Sequence, residues 1–329
     1  MTQDGGRVVG MRRTARARRS AVTALLAAVA LAAGCTAGPG QDDDGRPRPE
    51  PSRSPGGTAA PVLAVKIDNV PAARPQTGLG AADVVYAEPV EGGLSRLMAV
   101  YATRLPQSVG PVRSARESDL ELLGQFHRPT LAFSGAQSKL LPLIDRAPLR
   151  AETPGRTPGA YVRDPGRPAP YNLYLDPGRL MAAAPGADAL TTGFRYGAAP
   201  EGGAAAASRT VRYPAARFTF TWSARHAGWL VAMDGTPAVT AEGGRLAPAT
   251  VVVQYVTVRD SAYRDFLGHA TPYVETVGSG RAQVLRDGRA HEVRWERGTA
   301  AEGTRFTTAG GAPVNFARGQ VWVVFAQGS

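Results

Sequence analysis

The stretch VLAVKIDN, Val62–Asn69, is a mainly apolar run that ends in an acid and an amide. A short apolar run bounded by polar and turn-forming residues is typical of a buried strand. The segment before it is polar and rich in proline and glycine, so we expect the folded part of the chain to begin at Pro61. The strand would carry Asp68 at its carboxyl end.

The residues that follow mix predicted strands with predicted helices. The strand patterns are Asp83–Tyr86, Leu94–Tyr101 and Thr130–Phe133. Ser114-Ala115-Arg116-Glu117 has the Ser-x-x-Glu form of a capping box, which predicts a helix that starts there and continues to Leu123. A second helix is expected from about Ser138 to Asp145.

The second half of the chain is predicted to be richer in strands. Residues 150–205 have proline or glycine every few positions, which predicts a functional or covering loop with a short helix near Leu180. The later strand patterns are Phe218–Trp222, Thr250–Val258, a hairpin over Val284–Trp295 with its turn at Asp287-Gly288, and Val321–Phe325. We therefore predict an α+β protein with a mixed α/β domain at 61–205 and a β-rich, mainly antiparallel domain at 206–329.

Composition excludes several classes of protein. The chain has 329 residues, a net charge of +11, 43% hydrophobic residues and one cysteine. The hydrophobic fraction is ample for a buried core, and one cysteine excludes an internal disulfide, a Cys-based zinc site and an iron–sulfur centre. The four histidines show no metal-binding spacing, and no cofactor motif is present, so we expect neither a metal nor a cofactor.

The amino terminus has the features of an export signal. Six arginines precede the uncharged stretch Ala21–Gly34, whose length is short of the ~20 apolar residues that a spanning helix needs. This pattern predicts a signal peptide over residues 1–34. Removing it leaves 32 basic and 26 acidic residues, a net charge of +6, so we expect no nucleic-acid partner. The pair Arg18-Arg19 leaves twin-arginine export open as an alternative to the general route.

Cys35 stands at the predicted cleavage point. Leu31-Ala32-Ala33-Gly34-Cys35 resembles the lipobox of bacterial lipoproteins, although a larger aliphatic residue is usual at the position of Ala32. That resemblance implies that Cys35 receives diacylglycerol and holds the chain at the extracytoplasmic face of the cell membrane. An ordinary secretory peptide with an incidental cysteine is the alternative. Residues 35–60 would then form a disordered tether rich in proline, glycine and aspartate.

A series of motifs, taken in order, resembles the YerB-like family of bacterial lipoproteins, known as domain of unknown function 3048. The motifs are Ile67–Asn69, Ala73–Leu79, Ala82–Tyr86, Glu91–Arg96, Gly110–Arg116, Val277–Gly280, Asp287-Gly288, Arg294-Trp295 and Gly319–Val323. The resemblance covers nearly all of residues 61–325. It implies a membrane-anchored envelope lipoprotein with an N-terminal domain and a β-rich C-terminal domain, and it implies no established activity.

Two departures from the family pattern bear on chemistry. Many relatives have Glu directly after the tyrosine that corresponds to Tyr86, where this chain has Ala87 and then Glu88. Relatives also tend to have histidine in a Pro-His-Asn-Leu motif, where this chain has Tyr171. The second departure weakens any mechanism that depends on that histidine.

Candidate ligand-binding residues lie in two places. Arg113 and Arg116 flank Ser114 at the predicted helix start, where an anion would meet arginine donors and free N–H groups, with Arg96 as a further donor. Pairing of these arginines with nearby acidic residues is the alternative. The second set is Arg163, Tyr171 and Asn172, polar and aromatic groups suited to a glycan or peptide but equally suited to pinning the loop to the core.

Candidate catalytic residues are the carboxylates Glu91, Asp68 and Glu88. Two carboxylates in one cleft divide acid and base roles when their environments separate their pKa values. A structural ion pair of Glu91 with Arg96 or Arg113 is the alternative. The favoured hypothesis is a non-catalytic lipoprotein that binds an anionic or glycan-like envelope ligand. The alternatives are an envelope-polymer hydrolase and a scaffold for membrane partner proteins.

Overall fold

The computed structural model of the chain describes residues 60–265 and 268–328. The predicted signal peptide, Cys35 and all of the predicted tether except Ala60 lie outside the described residues. Within the described part, no helix combines the length and the hydropathy that a membrane span requires.

The described residues form 21 strands, two α-helices and seven 3₁₀ turns. In chain order the strands are β1 Leu63–Asp68, β2 Val84–Pro89, β3 Ser95–Tyr101, β4 Thr130–Ala132, β5 Arg150–Glu152, β6 Tyr161–Arg163, β7 Leu173–Leu175, β8 Arg195–Tyr196, β9 Ala204–Ala205, β10 Ser208–Tyr213, β11 Ala216–Ser223, β12 Gly228–Met233, β13 Thr236–Pro237, β14 Thr250–Val256, β15 Val258–Arg264, β16 Ala270–Val274, β17 Gly278–Arg286, β18 Arg289–Arg297, β19 Arg305–Thr307, β20 Asn315–Phe316 and β21 Val321–Gln327. The helices are α1 Ser118–Leu123 and α2 Leu141–Arg146. The 3₁₀ turns are Pro71–Ala73, Leu79–Ala81, Glu91–Gly93, Pro158–Ala160, Pro177–Arg179, Ala187–Ala189 and Ala224–His226.

One eleven-stranded sheet organises the molecule. Ten of its strands follow one another in the order β19-β18-β17-β14-β21-β2-β3-β1-β4-β5, and β9 pairs with β18. The last strand of the chain, β21, lies between β14 and β2 and runs parallel to both. Strands from both predicted domains, residues 61–205 and 206–329, therefore share one sheet. The boundary between the domains at residue 205 stays a prediction.

The predicted α+β class, with its mixed α/β N-terminal domain, is wrong: the fold is mostly β, and each of the two α-helices in the described part has six residues. The predicted capping box at Ser114 fails because the backbone there is already committed to strand-like pairing. Arg113 N donates to the carbonyl of Lys66, and Ala115 N donates to that of Gly135. α1 therefore starts only at Ser118. The helix predicted near Leu180 is a single 3₁₀ turn.

Both faces of the main sheet are covered. On one face the four-stranded sheet β10-β11-β12-β13 packs against it, and Phe218 and Phe220 stand edge-on to Trp322 at centroid distances of 6.2 and 6.0 Å. Leu122 of α1 and Ile144 of α2 belong to the core on the other face. Because β1 is covered on both faces, every one of its residues is buried. This burial explains why its sequence is mainly apolar.

The predicted hairpin at Asp287-Gly288 is confirmed. β17 and β18 pair in antiparallel register, with Arg286 opposite Arg289. Both turn residues have positive φ, 51° for Asp287 and 72° for Gly288, as a two-residue type I′ turn requires. The short-range signal was sufficient here because the turn type depends on these two residues alone.

Candidate functional site

The register of three neighbouring strands brings predicted site residues together. Asp68 of β1 lies opposite Arg96 of β3, and Arg96 lies opposite Glu88 of β2. Directly opposite residues project from the same face of a sheet. The side chains of Asp68, Arg96 and Glu88 therefore form a row across the carboxyl ends of β1 and β2.

Lys66 lies beneath this row, and its side chain is completely buried. Its Nζ is 2.7 Å from Glu88 Oε2 and 2.6 Å from Oδ1 of Asp119, which α1 supplies. Sequence reasoning did not single out Lys66 or Asp119. The available signal was that Lys66 is one of only two lysines and interrupts an apolar strand.

One ammonium group cannot balance two buried carboxylates. Burial raises the pKa of Glu88 to about 8, Lys66 opposes that rise, and the charge of Asp119 adds to it. Glu88 is therefore mainly protonated at neutral pH. Its Oε1 is buried without a hydrogen-bond partner, which costs less on a neutral carboxyl group than on a carboxylate.

Asp68 and Arg113 form an ion pair, with Arg113 Nε 2.8 Å from Asp68 Oδ2. The other oxygen of Asp68 accepts the backbone N–H groups of Asn69 and Val70. Asp68 is almost fully buried, whereas 29% of the Arg113 side chain is exposed. Arg113 is thus the most accessible arginine of the group.

Glu91 is bound by Arg116 through both oxygens. Arg116 Nε lies 2.5 Å from Oε1 and Nη2 lies 2.8 Å from Oε2, while the hydroxyl of Thr271 donates to Oε1 at 2.6 Å. Burial raises the pKa of Glu91, but the hydrogen bonds and charge of Arg116 outweigh it, so the net pKa lies below the ordinary value. Glu91 therefore pairs with Arg116, and neither Arg96 nor Arg113 takes that place.

Arg96 is about nine-tenths buried, and its Nη1 donates to the carbonyl of Ser114 at 3.1 Å. Its pKa falls to about 10, chiefly because the group is buried and secondly because the Arg116 guanidinium lies nearby. Arg113 lowers the pKa further, whereas the charges of Glu91 and Asp68 raise it. Arg96 is thus a buried cation with like charges beside it.

We call this group the polar centre. Its members are Lys66, Asp68, Glu88, Glu91, Arg96, Arg113, Arg116 and Asp119. At its border the hydroxyls of Ser114 and Ser134 lie 3.4 Å apart. Gly92 and Gly135 have no atom within 4 Å of the position that a Cβ would occupy. The polar centre therefore has an uncrowded border formed by short side chains.

The predicted anion site at a helix start loses its basis, because Ser114 is not the N-cap of α1. At this turn the backbone N–H of Arg116 donates to Oδ2 of Asp119 at 2.7 Å. Glu117 instead accepts the hydroxyl of Ser261 at 2.6 Å. Any anion here would therefore be bound by arginine side chains and not by helix N–H groups.

The second predicted set lies on the β6–β7 hairpin. Arg163 Nη1 donates to Asn172 Oδ1 at 2.7 Å. The Leu173 carbonyl accepts the N–H of Val112, so this hairpin lies beside the segment that leads to Arg113. Within the described residues, no hydrogen bond or ion pair joins Arg163, Tyr171 or Asn172 to the polar centre.

The chemistry available to the polar centre is limited. Among the described residues no group of three His, Cys, Asp or Glu side chains could hold a metal ion. Arg113 pairs with Asp68 and Arg116 with Glu91. Burial raises the pKa of Glu88 to about 8, but this residue is only 2% exposed. The arrangement therefore suits the fixing of charge better than acid–base work on an external substrate.

Comparison with known proteins gives two family matches. Residues 49–190 match the family described as "Protein of unknown function (DUF3048) N-terminal domain", and residues 209–323 match its C-terminal domain. A curated protein of Bacillus subtilis (strain 168), described as "Putative lipoprotein YerB", is 45% identical over 64 residues. That alignment spans 20% of this chain and 19% of the B. subtilis protein.

A solved structure has the same fold. The crystal structure of the YerB protein from Bacillus subtilis superposes with a TM-score of 0.67, covering 82% of this chain and 91% of that chain. The sequence identity in this comparison is 18%, so it establishes the shared fold alone.

Replacing Lys66 with Met should destabilise the fold strongly. The substitution leaves Asp119 buried without its cation, a loss we expect to cost about 3–5 kcal/mol of unfolding free energy in urea denaturation. Lys139→Met is the matched control, because the other lysine is exposed and should change stability by less than about 0.5 kcal/mol. Equal losses in the two variants would contradict a structural role for the buried ammonium.

Raising the pH should destabilise the protein between about pH 4.5 and about pH 8. In this window the folded state keeps the Glu88 proton and the unfolded state has lost it, so stability falls as pH rises. Glu88→Gln carries no titrating group and should flatten this part of the curve of melting temperature against pH. Glu201→Gln, at an exposed site, should leave the slope unchanged. Retention of the full slope in Glu88→Gln would refute the assignment.

Proposed function

The chain belongs to the DUF3048 family, and we propose that it is a lipoprotein held at the extracytoplasmic face of the cell membrane through Cys35. The observation that supports the anchor is that the single cysteine stands at the cleavage point of the predicted signal peptide. The similarity to a B. subtilis protein described as a lipoprotein supports the same reading.

We further propose that the folded body binds an anionic or glycan-like ligand of the envelope at the border of the polar centre. The supporting observation is a cluster of guanidinium groups. Arg96 is about nine-tenths buried, and the positive charges of Arg116 and Arg113 both act on it. Excess positive charge in a buried site is unfavourable, and an anionic group would offset it.

Arg113 and Arg96 are the proposed ligand donors. Arg113 is partly exposed, and a guanidinium group has five N–H donors, of which the ion pair with Asp68 occupies only part. The hydroxyls of Ser114 and Ser134 lie beside them and would donate to hydroxyl or carboxylate oxygens of the ligand. Arg116 binds both carboxylate oxygens of Glu91.

The hydrolase alternative has less support. It would need Glu91 or Glu88 to reach a substrate, but Arg116 and Thr271 engage the oxygens of Glu91. Glu88 is buried against Lys66. The scaffold alternative stays a prediction from the sequence.

Cys35→Ser should release the protein from the membrane. Without the thiol no diacylglycerol can be attached, so we expect the variant to lose incorporation of a labelled fatty acid and to leave the detergent-extracted membrane fraction. Thr36→Ser, a conservative change one residue away, should behave as the parent chain does. Unchanged fatty-acid labelling in Cys35→Ser would refute the anchor.

Arg113→Gln should weaken binding of the protein to purified cell-wall sacculi in a sedimentation assay. Loss of a charge-assisted hydrogen bond predicts roughly a tenfold to hundredfold weaker association. Arg259→Gln is the matched control, because it removes the same charge from an exposed ion pair with Glu275.

The double variant Arg113→Gln/Asp68→Asn separates binding from folding. It removes the guanidinium without leaving a buried carboxylate unpaired, so it should fold and still bind poorly. Sedimentation equal to that of the parent chain in this variant would exclude Arg113 as a ligand donor.

A further inference from the structure

A groove lies at the β5 edge of the main sheet, where the predicted tether joins the folded body. It has a volume of about 530 Å³. Its lining includes Ala60, Pro61, His127, Arg128, Arg150 and Arg156. Ala60, the first described residue, therefore lies in the lining of a groove that carries three arginines.

The helix α2 exposes apolar side chains beside this groove. Leu141 is 38% exposed and Leu143 is 37% exposed, two of the four large hydrophobic residues that are exposed in the described part of the chain. Arg156 of the groove pairs with Asp145 of α2, so the helix and the groove belong to one surface. We call this surface the edge face, and it consists of α2, Lys139 and the groove residues Ala60, Pro61, His127, Arg128, Arg150 and Arg156.

The edge face is positively charged. Residues 127–156 contain five basic and two acidic residues. Glu152 pairs with Arg150 and Asp145 pairs with Arg156. The remaining cations are Arg128, Lys139 and Arg146, all exposed and without an ion pair among the described residues. Arg146 stands three residues after Leu143 and so lies beside it on α2, while Arg128 and Lys139 are further exposed cations of the same segment.

We propose that the edge face rests on an anionic lipid surface. Exposed apolar side chains flanked by Lys and Arg are the pattern of interfacial membrane contacts, in which leucines enter the headgroup region and cations meet anionic headgroups. A second copy of the chain is a poor occupant, because two positively charged faces repel each other. The proposal rests on the lipid anchor at Cys35, which would bring the membrane to this face.

Because the predicted tether would keep the body near the membrane, a weak contact between the edge face and the lipid would be enough to hold it there. Residues 36–59 separate Cys35 from the groove, so docking of the edge face becomes an intramolecular event at an effective lipid concentration in the millimolar range. The contact would set the orientation of the body, because the polar centre lies at the carboxyl end of β1 and the tether joins at its amino end.

The test uses the full, lipidated protein in vesicles. Its one native cysteine carries the lipid, so Leu143→Cys supplies a single free thiol for an environment-sensitive fluorophore. Neutral phosphatidylcholine vesicles are compared with vesicles that also contain phosphatidylglycerol. We expect a blue-shifted emission and at least twofold weaker quenching by iodide in the anionic vesicles only. The shift should decline at about 0.5 M salt.

Two variants serve as matched controls. Ala301→Cys places the same label on an exposed turn between β18 and β19, toward the opposite end of the sheet, and its emission should be alike in both vesicles. Adding Arg128→Gln, Lys139→Gln and Arg146→Gln to Leu143→Cys should abolish the shift. All three positions are exposed, so the fold should be unaffected.

Three results would overturn the proposal, and they are distinguishable. Protein that floats with the vesicles but shows the same emission in both would refute the membrane contact and leave the anchor intact. Protein that does not float would refute the anchor and the contact together. An equal shift with soluble dextran sulfate would show a polyanion site in place of a lipid-binding face.

Discussion

The buried ammonium group of Lys66 is the interaction on which the rest of the site depends. A cation without solvent must be paired, and Lys66 meets this demand with Glu88 from β2 and Asp119 from α1. It thereby holds the short helix against the sheet. Burial raises the pKa of Glu88, Lys66 opposes that rise, and the charge of Asp119 adds to it. The pairing of Lys66 thus links the protonation of Glu88 to the packing of α1.

The main sheet supplies the rigid support that such a network needs. β21, the last described strand, lies between β2 and β14, so strands from the two halves of the chain are neighbours in the middle of the sheet. The polar centre is tied to distant segments in the same way. Glu91 accepts the hydroxyl of Thr271 from β16 and also binds Arg116. The carboxylate is therefore held by segments that are far apart in the chain.

Local patterns placed the long strands and the two α-helices but not the residues at which those helices begin. The hairpin at Asp287-Gly288 and the apolar runs of β1 and β21 are where short-range rules placed them, since burial of an apolar run and the dihedral demands of a tight turn are local properties. The capping box at Ser114 was wrong because Arg113 and Ala115 donate their N–H groups to distant carbonyls. A local sequence pattern cannot show that distant carbonyl groups will bind these N–H groups.

The amino-acid sequence by itself determined the strand-forming runs and which charged residues stand near strand ends, and it predicts an export signal that ends at the single cysteine. The convergence of Asp68, Glu88, Glu91, Arg96 and Arg113 was open in the sequence, and the register of β1, β2 and β3 decided it. Only the tertiary structure paired Arg116 with Glu91 and Arg113 with Asp68, and only burial in that structure raises the pKa of Glu88. Ion pairing and protonation depend on distance and burial, and both are properties of the folded chain.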